Sequence, residues 1–173
     1  IVLSGGLSGE ISSKILNQGE EKAEESLNWW KDTFGSDFYL EIQRHNQENE
    51  DYIIPIIKEF SSKYDIKIIA TNNTFYTTKT EANAHDILLC VREGEKQSVP
   101  IGKGRGFRYG LPNKEYWYKS KDEMFELFKD IPESIYNISE IIDKIEPFEL
   151  AREVLLPDFK IPKKFIQKND FDN

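Results

Sequence analysis

The sequence predicts an α/β domain with a parallel sheet, and three observations carry that reading. Short apolar runs alternate with longer stretches of helical periodicity, in the order strand, helix, strand, helix, strand, helix. That order is the pattern of βαβ units. The composition, 38% hydrophobic and 31% charged over 173 residues, suits one globular unit with its own core. Finally, the β-branched run at 66–71 (IKIIAT) breaks abruptly into Asn72, Asn73, Thr74, Phe75 and Tyr76. Parallel α/β folds collect their chemistry at such carboxyl ends of strands.

Residues 1–4 (IVLS) start within a strand, with no turn before them, as in a piece of a longer protein. Gly5 and Gly6 make a turn, and Ser8 is placed to cap a short helix carrying Ile11, Ile15 and Leu16, with Gly19 as its stop. Residues 20–34 form the clearest helix. Ala23, Leu27, Trp30 and Phe34 recur at helical spacing, and the leading glutamates suit the positive end of the dipole. Gly35 ends it. A strand at 38–43 (FYLEIQ) is followed by a polar run and a helix at about 52–64, with Ile53, Ile56, Ile57, Phe60 and Tyr64 on one face. Pro55 fits that helix only near its start, which places the start late.

After the strand at 66–71, Thr80 begins a helix through Val91 with Ala84, Ile87, Leu88 and Val91 facing inward. Residues 1–93 thus hold the βα units. Residues 94–119 are rich in glycine and aromatics and read as a loop or hairpin insertion. Residues 120–146 are helical: Ser120 and Glu123 form a capping box ahead of Met124, Leu127 and Phe128. Ile131-Pro132 then resets the chain before Ile135, Ile138, Ile141, Ile142 and Ile145 line one face of a last helix. Residues 147–173 alternate prolines, charges and isolated apolars, as a linker does.

The net charge of −8 argues against a broad phosphate-gripping face on this domain. No run approaches the roughly 18 apolar residues of a membrane span, and the first residues lack the basic and apolar regions of a secretory leader. The single cysteine, Cys90, sits in ILLCV and reads as a small buried hydrophobe in a reducing, cytoplasmic setting.

Candidate sites are few. On a period-two strand, Glu41, Gln43 and His45 share one side and could converge at a strand tip, either as a metal or acid–base site or as a hydrogen-bonded polar layer. His85-Asp86 suits local hydrogen bonding at a helix start. The stretch IGKGRGFRYG (101–110) carries Lys103, Arg105 and Arg108 but lacks the ending of a phosphate loop. It reads either as a contact loop for nucleic acid or a neighbouring domain, or as a surface hairpin whose glycines serve turns. Asp170 and Asp172 form a D-x-D in a polar tail, read as solvated charge.

Several stretches taken together resemble a known family: IVLSGGLSGEI (1–11), FYLEIQRH (38–45), IIATNNTFY (68–76), ANAHDILLCV (82–91), YWYKSKDEMFELFKDIPE (116–133) and EVLLPDF (153–159). In order and spacing they are similar to the alpha subunits of bacterial DNA polymerase III. The similar region is the second half of their N-terminal PHP (polymerase and histidinol phosphatase) domain and the lead into the palm. The resemblance implies a TIM-like β/α barrel, present here in part, with a metal site at the strand carboxyl ends. In metal-binding members the first stretch reads L-S-G-C and the third T-N-D-x-H, with Cys, Asp and His as ligands. Gly6, Asn73 and Phe75 stand at those positions here. Such a degenerate site implies a structural segment with no catalytic residues or cofactor of its own, and Phe75 in part of the space metals would take. The resemblance also implies a parent DNA-directed DNA polymerase using Mg²⁺ and contacting DNA outside this segment. Its partners are the other domains of the subunit and, in some members, a proofreading exonuclease. The competing reading is an active metal-dependent phosphoesterase or 3′–5′ proofreading nuclease. A section of a barrel with open strand edges also implies either self-association or a loop that covers the edge.

Overall fold

A computed structural model describes residues 1–147 and Ala151, so the Asp170/Asp172 pair and nearly all of the linker at 147–173 lie outside the described residues. Three strands, β1 (Val2–Leu3), β2 (Phe38–Ile42) and β3 (Ile68–Ala70), form a parallel sheet in the order β1-β2-β3. Val2 pairs with Phe38, and Leu40, Glu41 and Ile42 pair with Ile68, Ile69 and Ala70. All of β2 and β3 is buried, as expected for parallel strands covered on both faces. Phe38, Leu40, Ile42, Ile68 and Ala70 face the helices and join one apolar core, while the alternate residues, including Glu41, face the other way.

Helices α1 (Glu10–Asn17) and α2 (Glu20–Phe34) connect β1 to β2, and α3 (Glu48–Tyr64) connects β2 to β3. Their inward residues, Ile11, Ile15, Ala23, Leu27, Ile53, Ile54, Ile57 and Phe60, complete the core. The short strands and helices are joined by tight turns. Gly19 serves two helices at once: its N–H donates to Lys14 O, closing α1, and its φ of 93° redirects the chain into α2. Ser8 does not cap α1. Gly9 holds that position, and its Cα lies close to Gly5, which leaves no room for a Cβ.

The helix expected at about 52–64 starts at Glu48, so Pro55 lies inside it. An interior proline costs about 3 kcal/mol through its missing N–H and ring clash. Burial of Ile53, Ile54, Ile57 and Phe60 offsets that cost at about 1.5–3 kcal/mol each. Three acids in the first turn suit the helix dipole. The strand expected at 66–71 keeps its ladder only over Ile68–Ala70, although Thr71 N–H still donates to Ile42 O.

Beyond β3 the expectations need correction. A 3₁₀ turn at Lys79–Glu81, capped by Thr78 and Glu81 in a reciprocal box, precedes α4 (Ala82–Glu93). The face expected to point inward points out: Ile87, Leu88 and Val91 are 46%, 64% and 73% exposed. α4 buries Ala82, Leu89 and Cys90 instead. It packs on the 96–114 segment and holds it through Asp86, which accepts two hydrogen bonds from the Arg108 guanidinium. That segment forms no strand pair of its own beyond an Ile101–Arg108 bridge, and residues 116–118 return to the sheet end, where Trp117 bridges Tyr76 in parallel.

Helix α5 (Lys121–Leu127) has the expected Ser120–Glu123 capping box. The single last helix is instead two, α6 (Glu133–Tyr136) and α7 (Ile138–Asp143), with Ile142 and Ile145 exposed. Phe128 and Ile131 enter the main core, and Asn137 Nδ2 donates to Ile68 O at the edge of β3. Arg44 ties the end of β2 to this part through paired bonds to Asp130, and Glu140 ties α7 to Tyr39 and Lys67.

Candidate functional site at the strand carboxyl ends

The strand ends carry two adjoining polar clusters. In the first, Gln43 Nε2 donates to Glu41 Oε1 at 2.8 Å and to Thr71 Oγ1 at 2.9 Å, and the Thr71 hydroxyl donates to the same Glu41 oxygen. Ser4 Oγ accepts the Glu41 N–H at 2.8 Å, so β1, β2 and β3 all contribute. Gly6 lies against this cluster. A Cβ there would sit 2.9 Å from Gln43 Cδ and closer still to its oxygen. The Gln43 amide therefore occupies the space into which a side chain at position 6 would project.

The second cluster is built on His45, which is 1% exposed. Its Nδ1 lies 2.8 Å from Glu50 Oε1, in the first turn of α3, while Glu50 Oε2 accepts the His45 backbone N–H. The Asn73 N–H donates to His45 Nε2 at 3.2 Å. A backbone amide can only donate, so Nε2 is the acceptor and the ring proton sits on Nδ1, facing Glu50. The imidazole stacks on Tyr116, with centroids 4.5 Å apart and planes 8° off parallel. Burial, and after it the Glu50 carboxylate, push the Tyr116 hydroxyl up to about 12, so it stays a neutral phenol that accepts from Gln47 Nε2.

The sequence grouping of Glu41, Gln43 and His45 is thus half realised. Glu41 and Gln43 meet, but His45 lies beyond the end of β2 and turns to Glu50. Ser4, Thr71, Glu50 and Tyr116 complete the clusters. Ser4 and Thr71 stand in the family stretches quoted above, just past a strand end, whereas Glu50, in the first turn of α3, and Tyr116 carried no signal of a site. Phe75 is 43% exposed and rests edge-on against Tyr116 and beside His85, so it lines the rim and does not plug the interior. Arg108 is buried in its Asp86 pair, leaving Lys103 and Arg105 as the exposed cations of the 101–110 loop.

Divalent metals need anionic or imidazole lone pairs to replace water. The His45 lone pair is taken by Asn73 N–H, and a Glu41 oxygen is shared by two donors. Among the described residues no three His, Cys, Asp or Glu side chains come together in a metal-binding group. The residues present do not fit a metal cluster at this end of the sheet.

A PHP-domain family profile matches residues 1–45, from β1 to His45 just past β2. The DNA polymerase III alpha subunit of Borreliella burgdorferi is 33% identical over 166 residues, which is 95% of this chain and 14% of that protein. The alpha subunit of Campylobacter jejuni is 36% identical over 88% of the chain and 12% of its own length. That of Helicobacter pylori is 36% identical over 78% of the chain and 11% of its own length. The chain belongs to the DNA polymerase III alpha-subunit family.

The chain spans about one seventh or less of the length of these alpha subunits. Similarity to the polymerase subunits runs well past the PHP match, through α4, the glycine-rich loop and the capping box of α5. No helix among the described residues is long and apolar enough to cross a membrane.

Proposed function

We propose that this chain is a non-catalytic, load-supporting section of the PHP region in a replicative polymerase subunit. Its parent is a DNA-directed DNA polymerase that works in the bacterial cytoplasm with Mg²⁺ held by residues outside the chain. Within that parent, the section braces the neighbouring domains and offers a docking face for a proofreading exonuclease. The observation that carries this reading is the saturation of the strand-tip groups. Gly6, Asn73 and Phe75 supply no anionic or imidazole donor, Gln43 fills the space at Gly6, and the His45 lone pair faces an amide hydrogen.

Phosphoester cleavage at a PHP site needs metal to polarise the phosphoryl oxygen and to activate water. With donors engaged by one another, the polar layer instead fixes the relative position of three strands and α3. The test is made on the full-length subunit. Purified protein is assayed for bound zinc and manganese and for 3′–5′ exonuclease activity, with and without chelation. The expected result is Mg²⁺-dependent polymerisation with substoichiometric zinc and manganese and no chelator-sensitive nuclease. Stoichiometric zinc or manganese accompanied by a nuclease lost on chelation would establish the metal-dependent phosphoesterase in its place.

A further inference from the structure

Charge is segregated along this chain. Residues 96–114 hold five of its 23 cations and none of its 31 acids, while the net charge of the whole is −8. In the fold this segment is a finger with a fixed root. Arg108 anchors it, donating from Nε to Val99 O at 2.8 Å and from the guanidinium to both Asp86 oxygens. Gly102 N–H bonds Arg108 O, and Arg108 N–H bonds Pro100 O, so the tip is a closed turn. Gly104 and Gly106, with φ of 90° and 88°, form its bend.

The anchoring consumes one cation. Lys96, Lys103, Arg105 and Lys114 make no ion pair among the described residues. Phe107 and Tyr109, which follow Lys103 and Arg105 and flank the anchored Arg108, are each about half exposed. Lys103 shares a cleft with Leu7, Ser8 and Asn49, which follow β1 and β2 in the chain. The finger therefore lies at the same end of the sheet as the donor-poor clusters.

We infer that this finger is a contact for single-stranded nucleic acid, with Lys103 and Arg105 on the phosphates and Phe107 and Tyr109 offering faces for bases. A solvated cation pair alone fits any anion. Aromatic rings interleaved with cations are what sequence-independent single-strand binding uses, because every base has a stackable face. Glycine at the bend lets the backbone approach a phosphate closely. An acidic protein surface would use the same cations but has no need of the exposed rings. The local site also resolves how an acidic domain touches a polyanion, through one protruding element and not a broad face.

The test uses the full-length subunit bound to a primer–template whose single-stranded part carries 5-iododeoxyuridine. After irradiation, tryptic peptides are searched for nucleotide adducts. The expected result is an adduct on Phe107 or Tyr109, lost in the K103E/R105E variant. Both replaced side chains are exposed and form no ion pair in the fold, so the variant keeps its structure; unchanged thermal melting checks this. For the milder K103A/R105A variant, removal of two phosphate contacts lowers the slope of log K against log salt by about 1.4 in magnitude. Adducts confined to other regions, or adducts at 107–109 insensitive to the charge reversal, would overturn the inference. Carbodiimide coupling of Lys103 to another polypeptide's carboxylates, with no nucleotide adduct, would assign the finger to an acidic protein instead.

Discussion

The β2–α3 region and the α4–finger region are both built from amphipathic helices and short apolar segments, yet they hold together differently. In the first, every residue of β2 is buried and α3 covers it with Ile53, Ile54, Ile57 and Phe60. In the second, α4 turns Ile87, Leu88 and Val91 outward and is joined to the finger by the Asp86–Arg108 pair. A helix's apolar stripe says that some surface can be covered there. It does not say that this part of the chain covers it.

The contrast can be broken by mutation. Ile57→Ala, in the fully buried layer, should cost about 2–5 kcal/mol in denaturant unfolding. Leu88→Ala should stay within about 0.5 kcal/mol, as exposed positions do. A Leu88→Ala cost close to that of Ile57→Ala would mean that α4 is packed inward after all.

Capping gives a smaller version of the same comparison. Ser120 accepts the Glu123 N–H at 3.3 Å and its own N–H is bound by the Glu123 carboxylate. Ser120→Ala should cost about 1 kcal/mol in thermal or denaturant melts, whereas Ser8→Ala, which removes no cap, should be silent.

The acid limb sharpens the comparison of helix attachments. Glu10 bonds Lys14, Trp30 and Ser26, which holds its carboxyl at about 2 against an ordinary value of 4.5. Glu140, bonded to Lys67, Tyr39 and Lys144, is likewise lowered to about 2. A carboxyl lowered by folding contributes stability above its unfolded value and loses it as pH falls through the folded value. Melting temperature should therefore fall between about pH 4.5 and pH 2, and Glu10→Gln with Glu140→Gln should flatten that limb. Both groups are largely solvated, so the change is modest. The effect most confined in extent is expected for Arg108→Ala, because the bonds of this buried guanidinium reach only the finger and Asp86. Its signature is local: amide exchange across 97–110 should speed up while the β2 amides stay protected.

Much of this was readable in advance. The glycines at 19 and 35 delimit α2 as Glu20–Phe34, because their positive φ angles end helices that the intervening residues favour. The parallel order followed from alternation. Pro55 lies inside α3 against its local propensity, because the burial of Ile53, Ile54, Ile57 and Phe60 outweighs its cost. The face of α4 misled because periodicity has no sign: it finds a stripe and leaves its direction to the neighbours. At the site, Gly6, Asn73 and Phe75, singled out from sequence, lie at the strand ends, but the Glu50 partner of His45 was not legible. Nothing in a glutamate of a helix's first turn marks it as buried. It is the fold that turns it toward the imidazole.

At the strand ends Glu41, His45 and Glu50 are bonded to neighbouring groups, and among the described residues no three ligands come together for a cation. Crystals of the full-length subunit soaked in Mn²⁺ and measured at the manganese edge test this directly. The predicted anomalous map has no peak within bonding distance of Glu41, His45 or Glu50. A peak coordinated by any of those three side chains would contradict it.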